Sequence, residues 1–88
     1  EPLVITDFTA SWCKPCQKMT PVFEGLAKEY KGSAVFCKVD INDLPDVYDG
    51  LSIPAFHIFK GGEKVDSSTG SNEERLQKMV AQHCKKTN

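Results

Sequence analysis

Two cysteines that stand two residues apart, Cys13 and Cys16, are the feature of this 88-residue chain that points most directly to chemistry. Such a pair can help to bind a metal, form a structural disulfide, or cycle between dithiol and disulfide. A closed zinc site would need two more ligands at suitable spacing, whereas Cys37, Cys84 and the two histidines are isolated. The residues therefore favour a redox dithiol, with zinc and a structural staple as the alternatives.

The position of the pair supports this interpretation. Cys13 stands where an apolar run gives way to a helical pattern, so we expect it at a helix N-terminus. Unpaired N–H groups and partial positive charge stabilise a thiolate there and can lower its pKa from ~8.5 to about 7 or below. Cys16, one turn further in, should be shielded, and Pro15 suits the first turn. These features predict an attacking thiol and a resolving thiol.

Composition excludes several classes of function. Apolar residues make up 40% of the chain, charged residues 26%, and the net charge is −1. This net charge gives no electrostatic reason to expect binding to nucleic acid or anionic lipid, both of which favour clustered lysines and arginines. No apolar stretch approaches the ~18 residues of a membrane span. The sequence also shows no leader-like pattern at its start.

The apolar pattern predicts four β-strands. β-branched and aromatic residues mark them at residues 2–8, 33–41, 53–60 and 63–69. Gly61 and Gly62 lie between the last two strands, so we expect a hairpin there.

Helical spacing predicts three further elements. A first helix begins at Cys13, is kinked by Pro21 and is closed by Gly32. One or two helical turns are expected in residues 42–50. A last helix follows Ser71 and Glu74, which form a capping-box signature. Its predicted apolar face comprises Leu76, Met79, Val80, His83 and Cys84.

The order of these elements predicts an α/β fold. Alternating strands and helices favour parallel pairing, and the hairpin adds antiparallel pairs. We expect residues 1–88 to form a single domain with a mixed sheet of about four strands and helices on both faces. The dithiol then lies where the first strand ends and the first helix begins.

Longer segments of the chain resemble thioredoxins, especially the cytosolic eukaryotic type. The matching segments are DFTASWCKPC, the proline at position 21, KVDIND, SIPAF and IFKGGEKVDSSTGSNEERL. They cover nearly the whole chain in the family's order, which is more specific than a lone Cys-X-X-Cys. The resemblance implies a thioredoxin-like fold and a cytoplasmic protein disulfide reductase.

The resemblance also implies a reaction. Cys13 would be the nucleophile that forms a mixed disulfide with a substrate protein, and Cys16 would resolve it. A flavin-containing thioredoxin reductase would then restore the Cys13–Cys16 dithiol at the expense of NADPH, so that no cofactor is bound by this chain. The implied partners are disulfide-containing substrate proteins and that reductase.

Two charged residues match the family pattern near the dithiol. Asp7 interrupts an apolar strand, an unfavourable place for a carboxylate unless it has a function. The resemblance implies that it lies buried behind Cys16, with a raised pKa, and assists proton transfer from that thiol. Lys38 would lie nearby on the neighbouring strand. The alternatives are a solvent-facing carboxylate at a strand end and an ordinary surface lysine.

Several residues are expected to bind substrate. The bond before Pro54 in SIPAF is cis in thioredoxins and faces the dithiol, and an X–Pro bond tolerates this at ~0.5–1 kcal/mol. An exposed Trp12 beside a reactive thiol suggests a contact surface. The alternatives are an ordinary strand-start proline and a core tryptophan. The expected substrate-binding residues are Trp12, Lys14, Pro15, Ile53, Pro54 and Gly70.

The chain also differs from the family. Lys14 stands where thioredoxins usually carry glycine, and its charge should make the pair more oxidising. Ala55 stands where threonine is common, which could shift substrate range. Family members begin with another strand and helix, about twenty residues, so residues 33–41 are expected at a sheet edge. A naturally short form, a trimmed chain and a homodimer through this edge are all consistent with the sequence.

Two other functions remain open at this point. One is a disulfide isomerase or oxidase, and activity that survives in a Cys16→Ser variant would favour the isomerase. A non-catalytic binding module of the same fold would keep its partner after loss of both cysteines of the pair. Outside the pair, Cys37, Cys84 and His57 are expected to be packed residues rather than catalysts.

Overall fold

The described residues, 2–45 and 50–85, form a mixed sheet with two α-helices in this computed structural model. The strands are β1 (Leu3–Thr9), β2 (Ala34–Asp40), β3 (Ala55–Lys60) and β4 (Glu63–Thr69). The helices are α1 (Lys14–Glu29) and α2 (Glu73–His83), and a 3-10 turn covers Ile41–Asp43. The expected α/β architecture with a four-stranded mixed sheet is confirmed.

The sheet order, β2-β1-β3-β4, places β1 at its centre. β1 pairs in parallel with β2 and antiparallel with β3, and β3 pairs antiparallel with β4. The β3–β4 hairpin turns at Gly61 and Gly62, which have φ values of 61° and 81°. L-residues rarely adopt such angles, so two glycines suit this turn. Because β2 and β3 pair with β1 on its two sides, the position of the end of β1 is fixed by both neighbouring strands.

One face of the sheet carries the main core. Alternate strand residues point to this face, where apolar side chains of α1 and α2 cover them. The fully buried members of the core include Ile5, Met19, Phe56, Ile58, Leu76 and Val80. Because Asp7 alternates with Ile5 along β1, its side chain points to the same face.

The arrangement of the helices differs from the prediction. Helices were expected on both faces, but α1 and α2 share one face and one core. The turns expected in residues 42–50 are represented by the 3-10 turn, while residues 46–49 lie outside the described residues. No helix in the described ranges has the length and apolar character needed to cross a membrane.

The start of α2 also differs from the prediction. Asn72 is the N-cap, and its Oδ1 accepts the backbone N–H of Arg75 at 3.0 Å. The expected capping box with Ser71 is therefore wrong by one position, because serine and asparagine are comparably good caps. The third strand begins at Ala55 rather than at residue 53, since Pro54 has no N–H for the ladder.

Candidate active site

Cys13 is the N-cap of α1, four residues beyond the end of β1. Its Sγ accepts the backbone N–H of Cys16 at 3.2 Å. The two residues are joined by a disulfide, with their Cα atoms 5.2 Å apart. The sulfur of Cys13 thus occupies the place where a capping side chain normally satisfies an unpaired N–H group.

The two cysteines differ in their exposure to solvent. Cys16 is fully buried, whereas Cys13 keeps 6% of its surface exposed. Both pack with Ala10, and the side chains of Ile41 and Ile53 cover this cluster. A partner molecule can therefore reach Cys13 more readily than Cys16.

The electrostatic setting of the first turn favours an anion. The first turn of α1 contains no acidic residue, and the exposed Lys14 directly follows the N-cap. Pro15 lies in the same turn, where its missing donor is tolerated. A helix N-terminus and a neighbouring cation both stabilise a thiolate on Cys13 in the reduced state.

Asp7 is buried on the side of the sheet that α1 covers. It is 1% exposed, and among the described residues neither of its carboxylate oxygens has a hydrogen-bond partner. Burial raises the pKa of Asp7 to about 6, and the positive charge of Lys38 opposes that rise. A carboxyl group with this pKa can accept and release a proton near neutral pH.

The residues expected to bind substrate differ widely in their exposure. Trp12 is 65% exposed, and the Ile53–Pro54 peptide bond is cis, as the resemblance implied. Pro54 itself is fully buried, and its carbonyl accepts the N–H of Gly70 at 2.8 Å. Ile53 is half-buried. The exposed apolar surface near the disulfide therefore comes chiefly from Trp12.

Sequence reasoning missed three residues of the site. Ala10 and Ile41 pack against the cysteines, and Gln17 donates its side-chain N–H to the carbonyl of Ala10 at 3.0 Å. Gln17 directly follows the Cys-X-X-Cys segment and Ala10 stands three residues before it, so their closeness in sequence to the pair could have indicated them. Ile41 follows β2 along the chain, and no local signal links it to the pair.

The other singled-out residues lie away from the disulfide. Cys37 lies with its Sγ 3.4 Å from Thr6 Oγ1, and Cys84 ends α2 within the main core. His57 packs against Phe8, with ring centroids 4.8 Å apart. Within residues 2–45 and 50–85, no group of three or more potential ligands is arranged to hold a metal ion.

Comparisons with known proteins agree on one family. A family model described as Thioredoxin matches residues 1–82. A thioredoxin of Ictalurus punctatus is 46% identical over 85 residues, which cover 92% of this chain and 79% of that protein. Thioredoxin H4 of Arabidopsis thaliana is 43% identical over 84 residues, with 92% and 71% covered.

Solved structures give the same result. The crystal structure of a thioredoxin from Nicotiana alata superimposes with a TM-score of 0.85 at 31% identity and covers 96% of this chain and 75% of that one. A thioredoxin structure from Plasmodium falciparum also has a TM-score of 0.85, at 35% identity, with 94% and 83% covered.

Proposed function

This chain belongs to the thioredoxin family, and from that premise we propose a residue-by-residue mechanism for it. The family establishes a thiol–disulfide oxidoreductase of the thioredoxin fold, a disulfide reductase with Cys13 and Cys16 as its active-site pair. Within the Cys-Lys-Pro-Cys segment, Cys13 is the attacking thiol and Cys16 is the resolving thiol, and the residues around the pair assist proton transfer and substrate binding. The observation that carries the proposal is the Cys13 sulfur at the N-cap of α1, with Cys16 fully buried behind it.

The reaction proceeds in two exchanges. The Cys13 thiolate attacks one sulfur of a substrate disulfide, forms a mixed disulfide, and releases the other substrate sulfur as a thiolate. Cys16 then loses its proton and attacks the Cys13 sulfur, which closes the Cys13–Cys16 disulfide and releases the second substrate thiolate. The substrate gains two electrons and, after protonation, two protons, while the dithiol loses the same number.

Asp7 is the proton acceptor for Cys16 in the second exchange. Its burial, its lack of hydrogen-bond partners among the described residues and its pKa of about 6 support this role. Lys38, across the strand pair from Asp7, limits the rise of that pKa and so keeps the carboxylate available as a base at neutral pH.

Substrate docks on the surface next to Cys13. Trp12 supplies exposed apolar area, and Ile53 supplies a half-buried contact beside the disulfide. The backbone before Pro54 pairs with an extended substrate segment, and Gly70 leaves room beside it. Lys14 and Pro15 form the remaining border of the docking surface.

The partners follow from the family. Thioredoxins act with substrate proteins and a reductase and typically bind no cofactor. We assign to this chain disulfide-containing substrate proteins, and a thioredoxin reductase that passes electrons from NADPH to the Cys13–Cys16 disulfide. We also propose that the chain is cytoplasmic and that residues 1–88 form a single domain. A homodimer would form through β2, which is an edge strand of the described sheet.

The test is reduction of a disulfide-bonded protein by this chain, supplied with NADPH and thioredoxin reductase. We expect steady consumption of NADPH that depends on the chain and is lost in a Cys13→Ser variant. A Cys16→Ser variant should accumulate the mixed disulfide. No turnover from a chain that circular dichroism shows to be folded would contradict the proposal and favour a binding module.

A further inference from the structure

The turn that carries Cys13 is held at both ends by one residue of α1. The carbonyl of Ala10 accepts the backbone N–H of Cys13 at 3.1 Å and the side-chain Nε2 of Gln17 at 3.0 Å. Gln17 also donates its backbone N–H to the carbonyl of Cys13 at 3.1 Å. Its main chain thus binds the end of the 10–13 turn, and its side chain binds the beginning.

The beginning of this turn is itself anchored. Ala10 is fully buried and packs with both cysteines of the pair. The side-chain amide of Gln17 therefore links the buried Ala10, at the beginning of the 10–13 turn, to the first turn of α1. This link spans seven residues of sequence and adds no charge beside the sulfurs.

The placement of Cys13 matters because its stabilisation depends on geometry. Its Sγ accepts the N–H of Cys16 at 3.2 Å. A hydrogen bond weakens steeply as its distance and angle depart from the optimum. A small shift of the turn away from the helix end therefore weakens the stabilisation of a thiolate at this position.

We propose that Gln17 is a positioning residue for the dithiol, whose side-chain amide fixes the 10–13 turn against α1 and so holds the Cys13 sulfur at the helix N-terminus. This inference rests on the proposed role of Cys13 as the attacking thiol. Gln17 acts through the turn and not through contact with substrate.

The test compares Gln17→Met with Gln77→Met in the full chain. Methionine has a similar length and helix propensity but no N–H donor. Gln77, at an exposed position of α2, offers the same chemical change away from the site. Gln17→Ala, which also lacks the donor, is the second site variant. The readouts are the pH profile of Cys13 alkylation by iodoacetamide, followed by mass spectrometry, and the dithiol–disulfide equilibrium against glutathione.

We expect both Gln17 variants to alkylate more slowly near pH 6, by about threefold to tenfold, with an unchanged rate at high pH. Their glutathione equilibrium should shift toward the Cys13–Cys16 disulfide by a similar factor. Gln77→Met should match the parent chain in both readouts. An unchanged profile in folded Gln17 variants, or an equal change in Gln77→Met, would overturn the inference.

Two further outcomes are distinguishable. If both Gln17 variants fail to fold while Gln77→Met folds, Gln17 supports the whole domain rather than the position of Cys13, and the inference is overturned. Neither readout uses thioredoxin reductase. A parent chain that shows no reductase-coupled turnover would therefore count against the proposed function alone, while a shifted alkylation profile would still support the role of Gln17.

Discussion

Asp7 and Lys38 are direct partners across the parallel β1–β2 ladder. Two effects act on the pKa of the Asp7 carboxyl in opposite directions, because burial raises this pKa and the positive charge of Lys38 lowers it. Burial is the larger effect, and the result is a pKa of about 6. A buried carboxylate at the end of the central strand therefore reduces the stability of the fold at neutral pH.

The first prediction concerns the stability of Asp7→Asn. The folded state holds the Asp7 proton up to about pH 6, whereas the unfolded chain releases it near 3.8. The free energy of unfolding of the parent chain should therefore fall as the pH rises from about 4 to 6. Asparagine resembles the protonated carboxyl, so the variant should be more stable at pH 7 by about 1–3 kcal/mol. Urea unfolding at pH 4 and pH 7 measures this.

Asp66→Asn provides a control of opposite sign. Asp66 Oδ2 is 2.9 Å from His83 Nε2, and this hydrogen bond is the main reason that the pKa of Asp66 is lowered. Its contribution to stability is present above the usual carboxyl range and is lost at lower pH. Asp66→Asn should therefore destabilise the chain at pH 7. An equal advantage of Asp7→Asn at pH 4 and pH 7 would contradict the assignment to ionisation.

The second prediction concerns Lys38→Met. Removal of the charge that lowers the pKa of Asp7 should move that pKa above about 6, and the pH at which turnover reaches half its maximum should rise with it. Carboxyl carbon NMR follows the titration directly. Lys64→Met, on β4 at the opposite edge of the described sheet, removes the same charge and should leave the titration of Asp7 unchanged. Equal shifts in the two variants would exclude a local effect of Lys38.

The elements could be predicted from sequence wherever local chemistry determines them. The bounds of β4 were predicted correctly because glycines flank both of its ends. The start of α2 was not, because Ser71 and Asn72 are adjacent and either can cap a helix. The shared face of α1 and α2 depends on how strands order in the sheet, which apolar periodicity does not encode.

In the candidate site, too, some residues could be predicted from local sequence, while others depend on how the elements pack. The Cys-X-X-Cys spacing and the apolar pattern placed Cys13 at a helix start without any structure. The buried setting of Asp7 came from the family resemblance together with its unusual place in an apolar strand. The hydrogen bond from Gln17 to Ala10 depends on the angle between the 10–13 turn and α1, which no local sequence pattern determines.

The third prediction concerns Lys14→Gly. The cation beside Cys13 stabilises the thiolate, and thus the reduced pair, so its loss should favour the disulfide. The equilibrium with glutathione should shift toward the Cys13–Cys16 disulfide by about twofold to threefold at low salt, and by less at high salt. Lys14→Gln should reproduce the shift if charge is its cause. An unchanged equilibrium in both variants would remove the proposed effect of Lys14.

The fourth prediction concerns substrate docking by Trp12. Because 65% of this side chain is exposed, Trp12→Ala removes little buried area, and the free energy of unfolding should change by no more than about 0.5 kcal/mol. Tryptophan is frequent among residues that dominate binding at interfaces, so the KM for a disulfide-bonded protein should rise about fivefold or more. Reduction of a small disulfide, which has no docking surface, should be nearly unaffected.

Val35→Ala is the matched control for Trp12→Ala. Val35 is also an exposed apolar residue, at 54%, but it lies on β2 and not beside the disulfide. Its truncation should leave KM unchanged for both substrates. If Trp12→Ala slows the small disulfide as much as the protein substrate, then Trp12 affects the chemistry at Cys13 rather than docking. A specific rise in KM for the protein substrate would instead locate the binding energy on the surface around Trp12, because the sulfur itself is equally available to both substrates.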